Sequence, residues 1–334
     1  MKINSIIFIL SFILLFSCAT VETKVNPEIS SIEIDENKKF LTYLENDWQK
    51  TLDDNPLFAS YTGDKRNNNK ISSNDIDNFN KGKKSDEQSL KLLKSIDISK
   101  LSEENKLNYK LKEFDLLSSI GTKDFPTYYL RLNQRGGIQS FYETGNRLVY
   151  TSKQDYFDWL NRLKQFETNI YNALEINKEG LLNGHTQPKL VTRGVIAQLK
   201  SIIESDIDSN PYMKVFLDAD DSLLTKDEKA NLINEAKELI QNKINPAYEK
   251  LFNFLKDDYL PNSRDSIGIK DIPNGKEYYK FLAKFYTTTD LTPEDIHNIG
   301  LKEIKRIRME MEQIITQVNW DGDFNSFLNY LRTS

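Results

Sequence analysis

The chain has 334 residues, is 28% charged and carries a net charge of −5, with acidic and basic side chains interspersed. No stripe of Lys and Arg stands out, which excludes a nucleic-acid surface built on clustered cations. A single cysteine, Cys18, excludes an internal disulfide and a cysteine-based zinc site.

The first segment concerns export. Lys2 is the only charge before the apolar run IIFILSFILLF, Ile6 to Phe16. That run is too short to cross a bilayer core, which needs about 20 residues, and a basic start followed by a short apolar core describes a signal peptide over 1–17. Leu15-Phe16-Ser17-Cys18 resembles the bacterial lipobox, in which the cysteine is lipidated and becomes the first residue. An ordinary signal with an incidental cysteine is the alternative. On the lipobox reading, 18–36 is a lipidated Cys18 and a polar tether. The protein is then exported and held in the cell envelope, with the membrane as partner through the lipid.

The rest, 37–334, is long enough for a sizeable core. Apolar residues recur at spacings of three and four with no sustained alternation, which predicts an all-α, multi-helix domain joined by long ordered loops. In chain order, weaker helices fall at about 37–53 and 85–96. Ser102 opens the next, with Leu107, Leu111, Phe114 and Leu117 on its apolar face. Ser152 with Asp155 opens another, carrying Phe157, Leu160, Leu163, Ile170 and Leu174. A helix at about 189–204 follows. The clearest periodic segment runs from about Lys226 to Tyr259, opened by a Thr225/Glu228 capping box and interrupted near Asn245 by Pro246. A last pair covers about 275–286 and the stretch from Thr292. Loops fall at 63–75, 133–139, 183–188 and 260–275, and short strands at Tyr128 to Leu132 or Arg147 to Tyr150 are compatible with the pattern.

The helix beginning at Thr292 has an N-cap threonine, Pro293 at its first position, and Glu294 and Asp295 against the positive end. At 100° per residue, Ile296, Gly300, Ile304, Ile307, Met311, Ile314, Ile315 and Val318 share one stripe, with Gly300 central and suited to close helix approach. His297 falls on the border of that stripe. It is either a catalytic or metal-binding imidazole or, as packing statistics favour, a histidine satisfied at the core edge. His185, in the loop GHTQP, reads as a solvent-exposed turn residue.

No HExxH motif is present, and the two histidines lie 112 positions apart (297 − 185). A zinc site needs about three protein ligands. EF-hand spacing, a GxSxG elbow, a P-loop and GxGxxG are also missing. Gly136-Gly137 reads as a turn rather than an anion cradle.

Several stretches together resemble one family, the bacterial DUF885 proteins, which are α-helical and similar to zinc metallopeptidases. The strongest carrier is YLPNSRDSIGIKDIPNGKEYYKFLAKFYTTTDLTPEDIHNIGLKEIKRIRMEME (259–312), supported by NPLFASYTGDKRNNN (55–69), LNQRGG (132–137), DYFDWLNRL (155–163) and GLLNGHTQPKLV (180–191). The family's zinc motif, of the form His-Glu-x-x-Pro-Gly-His, lies in its C-terminal half, and no position here matches it. The resemblance therefore implies an N-terminal portion of a lipid-anchored, zinc-dependent peptidase, inactive alone, with no catalytic or metal residue in this chain and zinc expected only in a full-length member. Tyr278, Tyr279, Thr287, Thr288, Thr289 and His297 match family sequence and are expected on the wall of a peptide-binding cleft. The competing expectation is a non-catalytic envelope lipoprotein that binds peptides or a protein partner.

Overall fold

The computed structural model describes residues 27–334, with side chains from Glu36 onward. The signal peptide at 1–17, Cys18 and the tether up to residue 26 lie outside the described residues. The first helix, α1 (Pro27–Asp54), already takes in the end of the stretch read as a tether.

Four helices build the first part of the molecule: α1, the one-turn α2 (Pro56–Tyr61), α3 (Ile76–Lys94) and α4 (Glu103–Thr122). Helices α3 and α4 each start where a short polar side chain replaces a missing backbone partner. Asp75 accepts from the Asn78 N–H and Ser102 from the Asn105 N–H. Their facing sides enclose a small core of Phe40, Tyr43, Leu93, Ile96, Tyr109 and Leu116.

A larger core follows, built by α5 (Tyr142–Arg147), α6 (Lys153–Leu182), α7 (Lys189–Ile203), α8 (Lys214–Leu217), α9 (Lys226–Leu239), α10 (Asn245–Phe254) and α11 (Leu260–Asn262). Trp159, Leu163, Phe166, Tyr212, Tyr248 and Leu251 lie at its centre. Removing each such side chain from water stabilises the fold by about 1.5–3 kcal/mol. Gly145 permits a close contact in this core, because a Cβ there would stand 2.4 Å from the Trp159 ring. The expected break at Pro246 is a π-helical turn, Ile240–Ile244, placed just before the residue that lacks an N–H. The 226–259 segment thus stays helical throughout and is not cut.

The loop at 63–75 is fastened to α6 by polar side chains. Arg162 is fully buried and donates to Lys70 O (2.9 Å), Ser60 Oγ (2.6 Å) and Pro56 O (3.2 Å). Asp155 closes the N-terminus of α6 by accepting from the Ser152 N–H at 2.9 Å, and it also takes Lys65 at 2.6 Å. Burial raises this carboxyl, but the bonds from Lys65, Thr151 and Ser152 outweigh burial and hold it below its ordinary value.

The third region consists of α12 (Gly275–Thr287), α13 (Pro293–Gln317) and α14 (Phe324–Thr333). No strand occurs among the described residues, so both strand possibilities fail. Thr127–Leu130 winds as a 3-10 turn, and Arg147 ends α5. The fold is all-α. No described helix is long and apolar enough to cross a membrane.

Candidate functional site

The expected wall begins with α12. Its inner face packs on α4 and on the loop after it: Phe281 and Tyr278 meet Phe125 at 5.7 and 4.9 Å between ring centroids, and Phe285 stacks on Phe114 at 6.1 Å. The approach depends on Gly121, since a Cβ there would lie 2.6 Å from the Phe281 ring. Tyr278 is consequently half-buried, and burial pushes its hydroxyl pKa up. Tyr279 and Tyr286 point the other way and are exposed.

Thr287, Thr288 and Thr289 terminate α12. Thr288 takes the left-handed conformation (φ 54°) and donates its N–H to Lys284 O, as a helix C-terminus requires. Thr287 Oγ1 donates to Ala283 O at 2.8 Å and lies 2.9 Å from Thr289 Oγ1. The three hydroxyls are engaged in ending one helix before Thr292 starts the next, where Asp295 completes a capping box with the Thr292 N–H at 3.0 Å. A groove of about 350 Å³ runs beside this turn, lined by Phe125, Lys280, Phe281, Lys284 and Leu291 among others. None of the six expected wall residues lines it. The structure gathers the threonines, sets Tyr278 into packing and leaves Tyr279 and His297 apart from both.

The reading of α13 needs correction. Its apolar stripe forms no core face: Ile304 is 67% exposed and Ile314 50%, and no residue of the helix is buried. A Cβ on Gly300 would meet nothing within 4 Å, so the surface built for close approach is open. Without a core there is no core edge, and His297 is exposed, with no hydrogen bond among the described residues. α14 folds back beneath α13, with Arg308 over the Phe324 ring at 3.3 Å and Trp320 against Tyr330 at 4.7 Å.

His185 is corrected in the opposite sense. It is buried, packed on Tyr129 at 5.4 Å, with Nδ1 3.2 Å from Asn183 O and its Nε2 without a partner. Tyr129 in turn donates to Glu179 at 2.6 Å. The sequence Gly-His-Thr-Gln-Pro looks like an exposed turn, but Gly184 (φ 72°) folds the ring inward against an aromatic neighbour far away in sequence.

A second concave site was missed. A cavity of about 250 Å³ lies between α6 and the chain from Tyr128 to Phe141, with Asn74 on its third side. Phe166, Asn169, Ala173, Ile176 and Asn177 line it from one face of α6. Arg131 stands at it with its guanidinium over Phe79 at 5.5 Å, and it has neither ion pair nor hydrogen bond among the described residues. Burial lowers the pKa of that guanidinium, although the residue as a whole is exposed to solvent. The available signal was Asn169 and Asn177, two amides at core-facing positions of a helix.

Zinc, which the family resemblance implies, was tested against the side chains present. Among the described residues no group of three or more His, Cys, Asp or Glu could hold a metal ion. The donor set does not fit such a centre.

This geometry defines an all-α protein with one uncovered helical flank and a separate, largely apolar cavity that carries a few polar groups. The chain belongs to the family described as bacterial protein of unknown function, DUF885, which matches residues 56–334. Its fold is similar to the crystal structure of "the putative lipoprotein from Colwellia psychrerythraea", with a TM-score of 0.71 at 19% identity. That likeness covers 92% of this chain and 54% of the other, so this chain spans about half the length of its structural relative. No curated protein matches the chain.

Proposed function

We propose that this chain forms the substrate-facing, N-terminal portion of a lipid-anchored, zinc-dependent peptidase of the cell envelope, with its metal centre supplied by residues outside the chain. The observation that carries the reading is the open stripe of α13. A helix of 25 residues with a closed capping box presents Ile304, Ile307, Ile314 and Val318 to solvent around a glycine that nothing approaches. Contiguous apolar surface of this kind marks an interaction site, and the longer structural relative has further chain to place against the corresponding flank. Family membership and the lipoprotein description of that relative support the envelope setting and the anchor at Cys18. The wall residues Tyr279 and His297 then face the added mass and the peptide between the two parts.

The experiment is to read the gene beyond codon 334. A continuing frame that encodes a His-Glu-x-x-Pro-Gly-His helix is expected, and an unrelated neighbouring gene would overturn the proposal. The second reading, a non-catalytic envelope lipoprotein that binds peptides or a partner, draws on the same stripe. It is favoured if the chain alone is a stable monomer with no such frame following.

A further inference from the structure

The cavity beneath Arg131 combines three features that ordinary packing does not need together. Asn177 is 4% exposed, donates its Nδ2 to Ala173 O at 2.8 Å, and leaves Oδ1 without a partner. Asn74 donates its Nδ2 to Asn169 O at 2.9 Å and likewise leaves Oδ1 unpaired. A buried acceptor left unmade costs about 1–3 kcal/mol, so two on one cavity suit a donor from outside the chain. Arg131 adds a fixed cation with all its donors free, held over an aromatic ring. Between these groups the walls are apolar: Leu132, Ile138, Phe141, Phe166 and Ile176.

The loop that closes the cavity is built rigidly. Asn133 and Gly136 exchange backbone hydrogen bonds at 3.1 and 3.3 Å, and Gln198 on α7 donates to Gln134 O at 2.9 Å. Gly137 adopts φ 140°, and a Cβ there would stand 2.7 Å from Gln139 Oε1. Gln139 is itself buried, donating to Asn133 O at 2.7 Å and lying 3.0 Å from Gln198 Oε1. The loop's conformation is thus set before any ligand arrives, as small-molecule sites are.

We propose that this cavity binds a small carboxylate that carries N–H donors and an apolar side chain, the chemistry of an amino acid or of the C-terminal residue of a peptide. Arg131 takes the carboxylate as a forked, charge-assisted contact. The Oδ1 atoms of Asn74 and Asn177 accept the N–H groups, and Phe141 and Phe166 flank the side chain. Water alone would fill the volume and satisfy the amides, but it gives no reason for an unpaired guanidinium at the mouth. A nucleotide or sugar phosphate fits less well, because the unpaired groups inside are acceptors. The inference uses only this cavity and stands independently of the hydrolytic reading.

The test is isothermal titration of the full chain with four probes: N-acetylphenylalanine, its C-terminal amide, free phenylalanine, and the tripeptide Ala-Ala-Phe. The acid is expected to bind in the millimolar range or tighter, and the amide, which lacks the carboxylate, at least tenfold more weakly. Arg131→Gln changes an exposed side chain and should leave the circular dichroism unchanged while weakening the acid at least tenfold. Asn177→Leu should weaken it as well. A tripeptide that binds more tightly than free phenylalanine assigns the site to peptide ends, and the reverse order assigns it to free amino acids. Equal affinity for acid and amide, binding unaffected by Arg131→Gln, or no heat from any carboxylate probe would each overturn the proposal and leave a water-filled cavity only.

Discussion

The helices α6 and α13 are similar in length and in pattern, and the molecule treats them in opposite ways. Both open on a capping box and both carry apolar residues at helical spacing. α6 is surrounded, with Trp159, Leu160, Leu163, Phe166 and Ile170 at most 1% exposed. α13 touches mainly α12 and α14 and buries nothing. An amphipathic stripe therefore specifies that a helix has a partner face, without specifying whether that face belongs to the same stretch of chain. In α6 the partner is α10; in α13 the stripe stays exposed among the described residues.

The largest effect that separates the two helices is truncation of their stripes. Leu163→Ala in α6 should lower stability by about 2–5 kcal/mol in urea unfolding, since it leaves a cavity in a closed core. Ile304→Ala in α13 should change stability by less than about 0.5 kcal/mol, as at other surface sites. Comparable losses at both positions would mean that α13 is covered in solution.

Glycines give a second, smaller contrast. Gly145→Ala places a methyl group into the Trp159 ring and should destabilise the fold by about 1–3 kcal/mol. Gly300→Ala meets open space and removes a helix-interior glycine, so the chain alone should gain about 0.5–1 kcal/mol. If a helix packs across Gly300 in a longer protein, the same substitution should weaken that larger assembly. The sign of the change at Gly300 thus reports on the flank.

The pH dependence divides along the same lines. Burial raises Tyr43 to about 12, though its Ser89 hydrogen bond lowers it, and burial raises Tyr259 to about 12 as well, against the Gln187 N–H. A folded pKa above the ordinary value near 10 gives stability that is complete below pH 10 and lost as pH rises towards 12. Both packed cores should therefore loosen over that window, as followed by tyrosine absorbance and ellipticity. Glu228 moves the other way: Lys153, then the Thr225 N–H and hydroxyl, hold it at about 2. Its contribution is present above pH 4.5 and is lost as pH falls to about 2, which should fray the start of α9 first. At the exposed His297, alanine should shift stability by less than about 0.5 kcal/mol.

The caps, the all-α class and the break at Pro246 were legible in the sequence because each depends on a few neighbouring residues. Thr225 with Glu228 or Ser152 with Asp155 needs only a turn of backbone to form. The two histidines were misread for a different reason, since burial is decided by distant chain. His185 is buried by Tyr129, more than fifty positions away, and His297 is exposed because the stripe it borders has no cover. The family segment around Thr287 to Thr289 was recognisable, yet in the fold these hydroxyls end a helix. The cavity at Arg131 was hidden because Asn74, Arg131 and Asn177 come from three separated stretches, and the loop between them looked like a plain turn at Gly136-Gly137. The informative residues were asparagines on an apolar helix face, which a search for acid, base or metal motifs passes over.

The central proposal is that this chain offers binding surface, and that the proposed metal centre is built from residues it does not contain. Zinc analysis together with a peptidase assay on the full chain tests it most directly. The account predicts no stoichiometric zinc and no turnover at any zinc concentration. Stoichiometric zinc with measurable, chelator-sensitive peptide hydrolysis by this chain alone would contradict it.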